Sequence, residues 1–358
     1  MKLWLPGRFL KSLGLRAEVS LNRRFGREFI PAKIETFCIE TSSACNLKCR
    51  FCAYDKKQSP RLSMSNELFI DCVEQALALG YKEFHLTPCT GDVFMDRQVF
   101  GKFEYMDARK EIRAYHFFTN FTIPDEAQIL RLLRLKKLSQ LTLSIYGHDE
   151  ESFIALTRSS PKIYRRLLSN LETLLAHRSS WPFAVDIGFR STFDVPRDGS
   201  SELLQLIKRF RAAGVGVQSS HGIYNNWGGY VSQRDVGDLN LHILTSDEVF
   251  KSGACVKLFD SFQVTASGIV NGCSCRDVDS SLKIGDLNEK PLREILSGSN
   301  PDYLRIIEEQ QAGQFRAVCR NCDYYRSIYH QPSNFRRNKI PTQTMASRLL
   351  AIGRLKPD

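Results

Sequence analysis

Three cysteines, Cys45, Cys49 and Cys52, fall at Cys-x3-Cys-x2-Cys in one short stretch, just after the apolar run Phe37-Cys38-Ile39. Thiolate sulfur suits iron, and a [4Fe–4S] cube is held by such donors. A loop carrying three thiolates can grip three corners of a cube and leave its fourth iron open to a ligand that is not protein. Structural zinc wants four closed ligands, usually arranged as two pairs. Three thiols without a local fourth partner therefore favour the cube. A second set lies far downstream: Cys255, Cys273, Cys275, Cys319 and Cys322. On its own, a hairpin cysteine pair plus a distant Cys-x2-Cys fits zinc and an iron–sulfur cube about equally.

The chain has 358 residues, 42% hydrophobic and 25% charged, which is a globular composition. No apolar run approaches the roughly 20 residues that a membrane span needs. The N-terminus is broken by Pro6, Arg8 and Lys11 and does not read as a secretory signal. A cytoplasmic location is expected, where thiols stay reduced and clustered cysteines read as metal ligands. The net charge of +11 is carried by the two ends. Residues 1–33 hold eight Lys/Arg against two Glu, and residues 326–358 hold seven against one Asp. The body between them is close to neutral, so no nucleic-acid partner is expected.

The elements that must position these thiols follow a β/α rhythm. Residues 1–33 form a basic leader with an amphipathic helix on which Leu5, Phe9 and Leu13 share a face. That helix is expected to pack against the β/α barrel, with Trp4 and the flanking bases offering weak membrane-surface contact as the other option. Strands are expected at 34–40, 84–88, 113–120, 141–145, 184–190 and 215–219. Helices are expected at 66–79 (capped by Ser65), 96–109, 125–136, 161–176 and 202–213. Such alternation implies a parallel sheet with helices outside and a site at the C-terminal strand ends. The turn Thr87-Pro-Cys89-Thr90-Gly91-Asp92 lets backbone approach a ligand through Gly91. Arg190, at a strand end, is a bidentate donor for an anion, and Arg158 is a similar candidate. Cys38 and Cys72 read as core. Cys89 reads as a semi-buried structural thiol, with hydrogen-atom donation as its chemical alternative. Residues 222–252, with Tyr224-Asn-Asn-Trp-Gly-Gly229, are expected to hold no helix and to bridge over the mouth. Residues 253–325 form a small cysteine-rich α+β domain with a hairpin turn at Ser267-Gly268, and 326–358 a partly ordered basic tail with a short helical end at 345–350.

Cys45-x3-Cys49-x2-Cys52, with Phe51 before the last cysteine, resembles the signature of the radical S-adenosylmethionine (SAM) enzymes. The resemblance implies an α/β fold with a partial (β/α)6, TIM-like barrel over residues 34–221. It implies a cube whose open iron binds the amino and carboxylate groups of SAM, fed by a donor such as flavodoxin or ferredoxin. One electron then cleaves SAM to methionine and a 5′-deoxyadenosyl radical, which takes a hydrogen atom from substrate. Thr90-Gly91-Asp92 resembles the family's Gly-Gly-Glu-type turn, with Thr for the first Gly and Asp for Glu. Ser144 with Tyr146-Gly147 resembles its Ser-x-x-Gly strand end, and Thr119-Asn120 ends the strand where a polar residue stands near SAM. The implied SAM-binding residues are Phe51, Thr90, Gly91, Asp92, Asn120, Ser144 and Arg190. Cys255…Gly268-x4-Cys273…Cys319-x2-Cys322 resembles the SPASM/twitch extension. No cysteine follows Asp323, which points to the shorter twitch form with one auxiliary [4Fe–4S] cube. Its ligands would be Cys255, Cys273, Cys319 and Cys322, with Cys275 as the competitor of Cys273.

The expected function is a radical SAM oxidoreductase, a dehydrogenase or epimerase, acting on a small substrate such as a sugar, cyclitol or nucleotide sugar. The competing readings are a peptide-modifying radical SAM enzyme and a zinc-knuckle RNA-binding protein.

Overall fold

The computed structural model describes residues 5–32, 36–193, 199–331 and 340–352, with side chains from Leu13 onward except Glu248. Trp4, the side chains of Leu5 and Phe9 on the leader face, Ile34 at the expected strand start, and much of the basic tail lie outside what is described.

Six parallel strands follow one another: β1 (Thr36–Ile39), β2 (Glu83–His85), β3 (Ala114–Thr119), β4 (Leu138–Tyr146), β5 (Ala184–Ser191) and β6 (Gly216–His221). The helices between them include α1 (Leu5–Arg24) ahead of the barrel, α2 (Asn66–Ala78), α3 (Val99–Ala108), α4 (Glu126–Leu132), α5 (Glu150–Thr157), α6 (Pro161–Ala176) and α7 (Glu202–Ala212). Ser65 caps α2 by accepting from the Leu68 N–H, and Phe69, Cys72, Val73 and Ala76 form its buried face. Cys72 is thus core, as expected. An Asp125/Gln128 capping box starts α4, which ends at Leu132 rather than 136 because β4 already begins at Leu138. α5 was not anticipated. Its Asp149/Ser152 capping box and left-handed Arg158 (φ 53°) delimit a helix of eight residues, too short for a clear periodic signal.

Side chains alternate along the strands. On β4, Leu141, Leu143 and Ile145 pack outward into the core, and the opposite face carries Thr142, Ser144 and Tyr146. The opposite face of β2 and β3 carries His85 and His116, stacked at 4.6 Å between ring centroids. Burial pushes His85 down to about 3.

The C-terminal domain is built into the same sheet. Strands β7 (Gln263–Val264), β8 (Ile269–Asn271) and β9 (Lys283–Asp286) extend it, in the order β9-β8-β7-β1-β2-β3-β4-β5-β6. β7 pairs parallel with β1, Gln263 beside Cys38 and Val264 beside Ile39. The hairpin turn ends at left-handed Gly268, and the Glu40 carboxylate accepts from the Ala266 N–H.

One expectation needs correction and another an extension. The described contacts of α1 run to the C-terminal segment rather than the barrel: Asn22 donates to the Tyr329 carbonyl, Arg23 to Ser252 and the Gln311 carbonyl. The short helical end expected in the C-terminal stretch is present, and it is packed onto the body rather than loose. Thr342–Gln343 pairs with Ile30–Pro31, and in helix Met345–Ala351 the buried Arg348 donates twice to the Phe259 carbonyl. Burying a guanidinium requires such partners, and periodicity in a basic sequence does not reveal them.

Candidate functional site

The first cysteine loop leaves β1 and folds back on itself through backbone bonds. Ser43 donates to the Leu62 carbonyl, and Lys48 and Arg50 donate to the carbonyls of Thr157 and Leu156 at the end of α5. Cys49 is buried, and Cys45 and Cys52 are half-buried. The Leu47 N–H points at the Cys45 sulfur at 3.5 Å, with Asn120 Nδ2 at 3.7 Å. Burial, then the Asp92 charge, pushes the Cys45 thiol up to about 12. Cys49 is raised by burial and by both neighbouring cysteines, and Arg190 opposes that rise.

The turn after β2 reaches under this loop. Gly91 is left-handed (φ 100°), and a methyl group there would overlap the Ser42 carbonyl. The Asp92 N–H donates to the Ala44 carbonyl. The Asp92 carboxylate is wholly occupied by protein: one oxygen accepts from the Phe94 N–H, the other from Thr119 Oγ1 and the Asn120 N–H. Buried on this many donors, it orders the turn and the end of β3. Asn120 in turn accepts from Thr122 and donates to Asn46. Thr90 Oγ1 is buried without a protein partner. Arg190 lies close enough to Cys49, Cys52, Tyr146 and Tyr224 for its charge to act on each. Ser144 lies next to Gly188 on the inner face. Phe51 is clamped between Tyr146 and Tyr224, at 5.1 and 5.0 Å. Arg158 is a local ion-pair partner of Asp55 (2.9 Å).

The five downstream cysteines line one cavity together with Lys257, Arg276, Gln310 and Tyr324. Gln310 joins two of its walls, accepting from the Cys255 N–H and donating to the Cys319 sulfur. The Cys322 sulfur accepts from the Tyr324 N–H. Burial pushes the thiols up, Cys255 to about 11 and, with the Cys255 and Asp323 charges adding, Cys322 to about 12. Cys275 stands on the barrel side of this group, where its charge would act on Cys38 and Cys89. Cys38 therefore meets Ser274 and Cys275 rather than a purely apolar core. Cys89 is half-buried beside Glu40 and Cys275.

Sequence reasoning missed the link between the two sets. Residues 222–252 do contain a helix, Gln233–Val236, and they clamp the first cysteine loop. Arg50 and Lys56 pair with Asp238 and Asp235, and Trp227 Nε1 donates to the Phe51 carbonyl at 2.9 Å. The other side of this bridge binds the Cys319–Cys322 knuckle, with Asn226 donating to the Asn321 carbonyl and Gly228 lying under Val318. The Trp-Gly-Gly run was the available signal, because glycines permit the close approach.

The sequence matches the radical SAM superfamily over residues 39–226, and the chain belongs to that superfamily. Residues 255–323 match the SPASM iron–sulfur cluster-binding domain. Among curated proteins, none matches this sequence. Solved structures share the fold. BtrN in complex with AdoMet and 2-DOIA is 13% identical, with a TM-score of 0.52 over 85% of this chain and 98% of that one. Streptococcus suis SuiB bound to precursor peptide SuiA is 13% identical, with a TM-score of 0.54 over 87% and 75%. anSMEcpe with bound AdoMet is 15% identical, with a TM-score of 0.51 over 82% and 93%.

The superfamily's cofactors are SAM and its [4Fe–4S] cluster, and the SPASM domain adds auxiliary iron–sulfur clusters. The residues present fit these groups. Each set brings several cysteines, half-buried or buried, near enough for Cys45 and Cys52 to act on Cys49 and for Cys255 and Cys322 to act on Cys319, while among the described residues no three His, Cys, Asp or Glu converge on a single metal ion; such thiols must lose their protons to bind a cluster. Gly91 lacks the Cβ that would close the turn beside the first set. Among the described residues no helix is long and apolar enough to cross a membrane.

Proposed function

We propose a radical SAM oxidoreductase that oxidises or epimerises a hydroxyl-bearing carbon of a sugar, cyclitol or nucleotide sugar. Cys45, Cys49 and Cys52 would hold the SAM-binding cluster, and Cys255, Cys273, Cys319 and Cys322 a single auxiliary cluster. The Thr90-Gly91 backbone would take the SAM amino group and Arg190 its carboxylate, with Phe51, Asn120 and Ser144 around them. Asp92 acts one step back, through its hold on Asn120 and the turn. Bound there, with an electron from a flavodoxin- or ferredoxin-type donor, cluster and SAM supply a carbon radical able to take a hydrogen atom from substrate.

The observation that carries this reading is a small cavity between the end of β1, the segment after the first cysteine loop and the β7–β8 hairpin. Glu40, Lys57, Ser43, Ser59, Thr265 and Ser267 line it. Glu40 and Lys57 are buried, and the Lys57 charge acts on both Glu40 and Cys52. With Asp279 and Ser280, which also line it, two carboxylates, one ammonium and five hydroxyls match a ligand rich in hydroxyl groups. A second reading, peptide modification, is favoured by β6, whose residues are largely exposed and whose outer edge has no partner strand among the described residues. An extended peptide can add to such an edge.

The test is anaerobic reconstitution with iron and sulfide, reduction in the presence of SAM, and an assay for 5′-deoxyadenosine with deuterated polyols and peptides. Deuterium reaching 5′-deoxyadenosine from a polyol supports the first reading. Transfer from a peptide alone replaces it with the second.

A further inference from the structure

Trp227 is a non-glycine residue in the left-handed region (φ 52°), followed by Gly228 (φ 66°) and Gly229 (φ 97°). Holding a bulky residue there costs on the order of 1–3 kcal/mol and persists only where the surroundings enforce it. The indole N–H is fixed to the Phe51 carbonyl, between Cys49 and Cys52. The ring also meets the Arg276 guanidinium, whose central carbon is 5.3 Å from its centroid. Arg276 lies as close to Tyr324, at 4.9 Å, and donates to the Cys275 carbonyl and sulfur at 2.9 and 3.3 Å. The Tyr324 N–H points at the Cys322 sulfur. A continuous chain of contacts therefore runs from the first cysteine loop to the second set, with Arg276 in its middle.

Arg276 is largely buried, and its only ion-pair contact among the described residues is a long one, 3.5 Å from Nε to Asp323 Oδ1. Neither of those buried atoms has a hydrogen-bond partner. A guanidinium keeps its charge at any accessible pH, and its field in the interior is weakly screened. Two aromatic rings and two hydrogen bonds hold that charge still against the cavity lined by Cys255, Cys273, Cys319 and Cys322.

We infer that Arg276 is a positioning residue whose fixed charge, held by Trp227 and Tyr324, raises the reduction potential of the auxiliary cluster. The inference rests on the ligand assignment proposed above. A cluster gains negative charge on reduction, and a nearby cation stabilises that state; charge and hydrogen bonding to sulfur are known controls of cluster potential. Asp323 opposes Arg276 and sets the opposite sign.

The experiment is an EPR-monitored redox titration of the full-length, anaerobically reconstituted protein, with iron and sulfide counted for each variant. Arg276→Gln is expected to move the auxiliary midpoint potential to more negative values, while the signal of the SAM-binding cluster stays in place. Arg276→Lys is expected to restore most of the shift, and Asp323→Asn to move the potential upward. An unchanged auxiliary potential in fully loaded Arg276→Gln overturns the inference, as does a drop in Arg276→Lys equal to that in Gln. Should Arg276→Gln fail to load iron, Asp323→Asn decides: no upward shift overturns the proposal. Failure of the ligand assignment shows separately, as an auxiliary signal that survives in Cys319→Ala.

Discussion

The two cysteine sets solve the same problem by opposite means. The first gathers its thiols within one short loop, so sequence spacing alone nearly specifies the arrangement. The second draws Cys255, Cys273, Cys319 and Cys322 from three separate chain positions and brings them together only through the folded domain, with Gln310 tying Cys255 to Cys319. The contrast is between a site that local geometry builds and one that must await tertiary assembly. Loop-closure entropy makes the second more dependent on the stability of its surroundings.

That contrast can be broken at several points. The largest effect belongs to Cys45→Ala, Cys49→Ala or Cys52→Ala: each is expected to abolish SAM cleavage while the auxiliary EPR signal persists. Cys319→Ala with Cys322→Ala should do the converse, removing the auxiliary iron and product formation while 5′-deoxyadenosine is still released. Equal loss of cleavage in both variants would erase the distinction between the sets. Gln310→Ala should lower iron loading of the second set alone, because it severs the link between Cys255 and Cys319 and leaves a buried donor unpaired, at about 1–3 kcal/mol. Gly91→Ala should cost on the order of 1–3 kcal/mol in unfolding free energy through its left-handed backbone, and should weaken SAM binding measured by calorimetry without touching the second set.

The smallest effect lies away from both sets. His85 is held neutral by burial, its folded value depressed to about 3. Below the ordinary histidine value of about 6.5 the unfolded chain binds a proton that the folded chain does not, so acidification destabilises the fold by up to about 1.4 kcal/mol per pH unit. His85→Gln should flatten that slope in urea titrations of the metal-free protein, and an unaltered slope would place the dependence elsewhere.

What could be read beforehand follows the same division. The β/α rhythm, the Ser65 cap and the apolar face of α2 are local patterns, and they appear where the residues put them. Gly91 announced a close approach because only glycine tolerates one. The docking of α1, the burial of Arg348 and the clamp made by Trp227 depend on partners 89 or more residues away in the chain. No local periodicity encodes such pairings. Asp92 shows an intermediate case: its place in the turn was legible, but not that its carboxylate would be consumed by Phe94, Thr119 and Asn120. Cys275 was seen as a rival of Cys273, and its position toward Cys38 and Cys89 came only from the packing.

The parallel pairing of β7 with β1 has a mechanical consequence. Because the hairpin is hydrogen-bonded to the strand that feeds the first loop, the separation between the two metal centres is set by a shared backbone ladder rather than by a hinge. Cutting the chain before Cys255 would strip that ladder from one side of β1 and leave a raw strand margin open to self-association. A barrel cut there is expected to self-associate through β1, which its elution on size exclusion would show.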